Sequence, residues 1–402
     1  MHLCQPAPDQ PEPLAERRRR RLLGVDAARA LALAGMMAVH ITPSTTPAGD
    51  VSAAYLIAGG RASALFAVLA GVGLALASGG TTPPRGRELQ GYRRGTAARA
   101  GVILVVGLTV GALEHGVAVI LVHYAVLFVV ALPFLGMRPA ILIPLAATWV
   151  VVTPLISQAL RSGMAIEPRD SPTLESLADP LDLISNLMLT GYYPVLVWTA
   201  YLLLGMGLGR LNLRALPTEI TLLATGLSIA IAAKVASSAL LEAGGGMDEL
   251  RAAGAGTSPI AGRPLDIALE AGFFGTTPTT SWWWLATSAP HSGTPFDLLH
   301  TMGSAMGVLG AMLLLARVIS GLLWPLAAIG SMTLTLYTLH VVLLATALPR
   351  EMPNSLAWNL LVAVAIAVPW RTFVGRGPLE ALAARTAAAA RLSAGPPPRS
   401  LT

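Results

Sequence analysis

The sequence predicts an all-α membrane protein, a polytopic transmembrane helix bundle of about ten spans with both termini cytoplasmic. Three observations support this. Hydrophobic residues make up 54% of the chain and charged residues only 12%, with a mean hydropathy of +0.65, whereas ordinary soluble domains are about 25% charged. Apolar runs of about 20 residues recur, the length that crosses a hydrocarbon layer of about 30 Å. Arginines gather in the loops between alternate runs, as the positive-inside rule requires.

The elements follow in order. Residues 1–21 are Pro-rich and basic and read as a disordered cytoplasmic tail. Arg17 to Arg21 resemble the basic head of an export signal, but Asp26 and Arg29 inside the next apolar run argue for a retained anchor. Apolar runs occupy 22–43, 58–78, 98–113, 117–135, 141–160, 193–211, 220–241, 298–319, 322–348 and 356–374. Residues 22–376 thus form one transmembrane domain, and 377–402 a cytoplasmic C-terminal tail in which 381–394 has the composition of a surface helix.

With the N-terminus inside, the loops bearing Arg85, Arg87, Arg93 and Arg94, then Arg138, then Arg210 and Arg214, then Arg317, and the segment from Arg371 onward all face the cytoplasm. The long loops 161–182 and 242–295 are acidic or rich in Gly and Pro and fall outside. Topology therefore accounts for the net charge of +6, and no nucleic-acid partner is implied. The expected surroundings are a lipid bilayer, here a bacterial-type plasma membrane. Cys4 is the single cysteine and no CxxC, P-loop or metalloprotease pattern occurs, so neither a disulfide framework nor a metal site is expected.

Ionisable groups within membrane helices cost at least ~2.5 kcal/mol each unless paired or facing a cavity, so their positions are informative. Asp26 and Arg29 lie three apart on one helix face near the cytoplasmic end of the first run, while His40 lies close to its opposite end. On the proposed topology Arg61, His123, Tyr192, Lys234, Asp297, His300, Tyr337 and His340 also fall in the outer half. The expectation is one polar cavity open to the outside. Plainer roles exist for several members. His123 can hydrogen-bond a neighbouring helix, Lys234 can snorkel, Tyr192 can belong to an interfacial belt, and Arg61 can anchor a helix end.

The run from Asp26 through Arg29 to His40 resembles the opening helix of integral-membrane acyltransferases, which reads Leu-Asp-x-x-Arg-Gly followed by a His. The stretch from Gly59 to Gly73 is similar to the second helix of bacterial relatives of heparan-alpha-glucosaminide N-acetyltransferase (DUF1624). Residues Ile329 to His340, and Trp370-Arg371 with Arg376 to Glu380, resemble the C-terminal region of YeiB-like, DUF418-type membrane proteins. Two departures stand out: Ala30 replaces the family's Gly, and the Trp-Asn-Gly loop with its preceding His is absent between Ile41 and Gly60.

The resemblance implies acyl transfer, with acetyl-CoA or another acyl-CoA as donor, to a hydroxyl or amine of an extracytoplasmic glycan or small-molecule acceptor. His40 then serves as base or takes the acyl group itself first, with Arg61, Tyr337 or His340 stabilising the oxyanion. Asp26 and Arg29 form a structural or donor-side pair, and Arg93, Arg94, Arg99, Arg210 and Arg214 are candidates for the coenzyme A phosphates. His123, Tyr192, Lys234, Asp297 and His300 line the acceptor cavity. A transporter of a small polar solute or envelope precursor is the alternative, although the repeated halves common in such proteins are not visible.

Overall fold

The computed structural model describes residues 22–164, 171–255 and 264–392. The expected N-terminal tail and residues 393–402 lie outside that set. Twelve helices organise the chain: α1 (Leu23–Ile41), α2 (Arg61–Ala77), α3 (Gly86–Gly111), α4 (Leu121–Val130), α5 (Pro139–Leu160), α6 (Val195–Gly209), α7 (Leu216–Glu242), α8 (Pro295–Val318), α9 (Ser320–Gly330), α10 (Thr333–Ala345), α11 (Ser355–Phe373) and α12 (Pro378–Leu392). Shorter helical turns fill the loops. The described residues contain no strand, only an isolated bridge between Thr45 and Val51.

Among the described residues, seven helices are long and apolar enough to cross a bilayer, or nine spans if two bent pairs are each counted as one. Three of the ten expected runs do not form one long helix. Run 193–211 gives the 15-residue α6, bent by 53° from the helical segment before it. Run 117–135 yields only the ten-residue α4, about 15 Å long at 1.5 Å per residue. Run 322–348 divides into α9 and α10, bent by 64°. The exposed backbone N–H groups that open α10 are satisfied from elsewhere, by the Glu380 carboxylate on Leu334 N (2.7 Å) and Thr335 N (3.2 Å).

The central element is α1, which packs against α2, α8 and α9. Leu33 and Met37 of α1, Leu69 of α2 and Leu202, Leu203 and Met206 of α6 are fully enclosed. On the periphery, Val151, Val152, Leu155 and Ile156 of α5 and Ile231 and Val235 of α7 are exposed, as a lipid-facing surface demands. The most extensive helix pairing is α7 with α8. Its backbones meet at glycines: a Cβ added to Gly226 would lie 2.5 Å from the Gly307 nitrogen. Arg317 of α8 clamps one end of this pair through Glu219 of α7, at 2.5 and 2.9 Å.

Part of the expected C-terminal tail is ordered structure. Helix α12 lies along α3, where Gly95 leaves room for Ala387 and Arg391. The Arg391 guanidinium sits 3.9 Å from the centre of the Tyr92 ring.

Candidate functional site

Helix α1 carries polar groups at both ends. At one, Arg29 Nη1 bonds Asp26 Oδ1 at 3.1 Å, so the expected pair forms. At the other, His40 Nδ1 lies 3.2 Å from His340 Nε2 of α10, with the two rings stacked at 5.4 Å. From 26 to 40 along the helix is about 21 Å.

The histidine pair has a defined proton arrangement. Asn359 of α11 donates through Nδ2 to the Ser355 carbonyl (2.9 Å), which turns its Oδ1 toward His340 Nδ1 (2.9 Å). An amide oxygen only accepts, so His340 carries its proton on Nδ1 and offers a lone pair at Nε2. His40 then donates from Nδ1, leaving the His40 Nε2 lone pair free. His340 and Asn359 are 1% and 2% exposed. Tyr337, one helical turn before His340, places its ring edge-on to His40 at 6.1 Å and accepts from Ile120 N (3.3 Å).

His40 faces a cavity of about 870 Å³. Its walls come largely from connections: Glu114, His115 and Val117 after α3, Glu175 after α5, Tyr192 and Tyr193 at the 53° break before α6, Phe274 and His291 before α8, and Arg350 after α10. The break follows a π-helical turn at Asn186–Thr190, a feature frequent at functional sites. His291 adopts φ +55° and its ring packs on Tyr192 (4.6 Å) and Trp198 (6.2 Å, near parallel). Burial pushes the His291 imidazole down to about 4 and also lowers His115. Val117 N donates to His115 Nδ1 (3.1 Å), so His115 Nε2 carries the proton facing the Val110 carbonyl (3.2 Å) and ties the turn together.

A second cavity of about 760 Å³ opens around the Asp26 end of α1. Arg29, Arg99, Arg214, Arg376 and Arg391 line it, against only two carboxylates, Asp26 and Glu380. Both carboxylates are already engaged, Asp26 by Arg29 and Glu380 by α10. Arg99 lies 5.5 Å from the Phe128 ring centre, and its buried Nε has no hydrogen-bond partner among the described residues.

The two cavities stand back to back. On α2, Ser63 lines the first and Phe66 the second; on the other side Ala118 lines the first and Leu121 of α4 the second. Three helical residues rise about 4.5 Å on α2, whereas on α1 the second cavity ends at Arg29 and the first begins at Met36, about 10.5 Å further along.

The expectation of a single outer cavity is corrected by this geometry. Arg61, Lys234, Asp297 and His300 line a separate, smaller cavity of about 210 Å³. Arg61 departs because helix neighbours diverge by about 100°: Ala62 and Ser63 face the His40 cavity, while Arg61 turns away and donates to the Leu56 carbonyl. His123 lines none of these three cavities; it is buried against the Tyr193 ring at 5.5 Å. Arg93, Arg94 and Arg210 are outside the arginine-lined cavity. Arg93 donates to the Leu132 carbonyl (3.0 Å), and Arg210 satisfies the carbonyls of Ala75, Ser78, Gly80 and Leu135 at the end of α2 and nearby turns. Sequence reasoning missed Asn359, Tyr124, His115, His291 and Arg350. The first signal available was Asn359 on an apolar helix; the loop residues carried none.

Fold and site together define a polytopic membrane protein in which a histidine-bearing cavity and an arginine-lined cavity stand back to back. The family model for the catalytic domain of heparan-alpha-glucosaminide N-acetyltransferase matches residues 21–241, more than half of the chain, and the chain belongs to this family of membrane acetyltransferases. The match contains Asp26, Arg29, His40, Arg99 and Tyr124, whereas His340, Asn359 and α12 lie beyond it. None of the curated proteins compared matches the chain.

Proposed function

We propose that the protein moves an acetyl group from acetyl-CoA, bound in the arginine-lined cavity on the cytoplasmic side, to a hydroxyl or amine of an extracytoplasmic glycan or small molecule in the His40 cavity. The membrane would be a bacterial-type plasma membrane. The observation that carries this reading is that the two cavities come within about one helical turn of each other along α2, with His40 lining the first and Arg29 the second. A donor and an acceptor on opposite faces need a shared wall thin enough for one bond exchange.

The chemistry of each side supports its assignment. Clustered guanidiniums suit the pyrophosphate and 3′-phosphate of coenzyme A, and Arg99 has a buried Nε without a partner among the described residues. Its pantetheine arm would run past Phe66 and Leu121 toward the partition. The aromatic wall of Tyr192, Tyr193, Phe274 and His291 suits the apolar face of a sugar ring, and about 870 Å³ lies within the range of small-molecule sites. His40 Nε2 would take the proton of the acceptor as it attacks the thioester carbon. His340 and Asn359 hold that imidazole in the required tautomer and stabilise the imidazolium that forms.

The test is release of free coenzyme A thiol by purified protein in detergent, with acetyl-CoA as donor and glucosamine as acceptor probe. Thiol release matched by N-acetylglucosamine, and lost in His40→Ala, is expected. Equal activity in wild type and His40→Ala would refute the assignment of the base.

A further inference from the structure

We infer that the Tyr124 hydroxyl holds the carbonyl oxygen of the donor thioester at the partition; this rests on the donor-cavity reading above. Tyr124 of α4 lines the arginine-lined cavity and is 3% exposed. Its ring packs against Phe66 (5.3 Å) and Phe128 (6.3 Å), a task that a phenylalanine would perform equally well. Its hydroxyl is buried and has no hydrogen-bond partner among the described residues. A buried phenol without a partner is destabilising, and such groups in native proteins call for an explanation. A ligand acceptor entering the cavity supplies one.

The position fits the reaction. Tyr124 lies one helical turn beyond Ile120, whose N–H meets the Tyr337 hydroxyl, and the Tyr337 ring in turn flanks His40. Tyr124 therefore stands on the donor side of the partition that His40 lines from the other side. As the acceptor oxygen or nitrogen bonds to the carbonyl carbon, its proton passes to His40 Nε2 and the carbonyl π electrons move onto the oxygen that Tyr124 contacts. Collapse of this intermediate restores the C=O bond and breaks the C–S bond. The coenzyme A thiolate leaves and is protonated from solvent, and the His40 imidazolium gives the acceptor's proton back to solvent. Tyr124 donates more strongly to the oxyanion than to the ground-state carbonyl, which is how such a donor accelerates the step.

The experiment compares wild type with Tyr124→Phe. Expected for Tyr124→Phe are a ligand-free melting temperature equal to or above wild type, unchanged affinity for coenzyme A itself, and a kcat for acetyl transfer to glucosamine reduced on the order of 10²-fold. Isotope-edited infrared spectra of bound [1-13C]acetyl-CoA should show the thioester carbonyl stretch lowered in wild type and restored toward its free value in Tyr124→Phe. Turnover within a few-fold of wild type, or an unshifted carbonyl in the wild-type complex, would overturn the inference, and the wild-type spectrum decides even if the variant fails to fold. Absence of coenzyme A binding by wild type would overturn the donor-cavity reading and this inference with it, whereas binding without a carbonyl shift overturns this inference alone.

Discussion

His40 acquires a usable lone pair from residues on two other helices. Asn359 fixes the proton on His340, and His340 fixes it on His40. His40→Ala should lower kcat by 10² to 10⁴-fold, as expected for loss of a general base, with the melting temperature little changed. Asn359→Leu leaves His340 Nδ1 without its acceptor and frees the pair to adopt the wrong tautomer. Its kcat should fall while the KM for glucosamine stays near wild type, which steady-state kinetics would show. His291 gives a second residue-level prediction. Its folded-state value of about 4 lies below the ordinary histidine value near 6.5. The unfolded chain thus binds the additional proton between those values, and the stability contributed by neutral His291 is lost as pH falls from about 6.5 to 4. His291→Asn, which also tolerates φ +55°, should flatten the fall in melting temperature across that window. His40, His340 and Tyr337 were legible in the sequence because polar groups inside apolar runs betray themselves. Depth along a helix is readable, but direction around it is not, which is why depth alone groups Arg61 with His40 and gives Tyr124 no distinction.

At the level of elements, paired charges within and between helices contribute to stability. Asp26 and Arg29 pair within α1 beside the arginine-lined cavity, so removing one partner takes away the other's 3.1 Å counter-charge. Asp26→Leu and Arg29→Leu should each reduce the yield of folded protein, and the double variant should recover much of it. Because Arg29 also lines the arginine-rich cavity, the recovered double variant should show a raised KM for acetyl-CoA. Glu380 caps α10 from the neighbouring α12, and Glu380→Ala should cost about 0.5–2 kcal/mol, the range of helix caps. Thermal unfolding should register that loss, and limited proteolysis should cut first near α12. The apolar pattern located nearly every helix, yet it joined α9 to α10. The residue that stabilises that break, Glu380, is 46 positions away from Leu334 in the chain and no local pattern contains it. Run 117–135 failed similarly, since hydropathy reports burial but not whether 112–120 is helical.

For the whole molecule, the proposed function sets one orientation, with the donor on the Asp26 side inside and the acceptor on the His40 side outside; the arginine-bearing loops on the Asp26 side are consistent with it. A transporter would need the wall between the cavities to open for passage of a solute; a transferase needs only an acyl group to cross it. The His40–His340–Asn359 chain favours the transferase, because solute passage does not require an oriented base. The family match covers residues 21–241, while the remaining helices supply His340, Asn359 and the α12 wall of the arginine-lined cavity. The central claim is that donor and acceptor act from opposite faces. Proteoliposomes of uniform orientation test this most directly, with radiolabelled acetyl-CoA on one side and glucosamine on the other. N-acetylglucosamine should form only when acetyl-CoA is supplied on the α12 side and glucosamine on the side of Glu114 and Tyr192; product formed only when both substrates share one compartment would contradict the account.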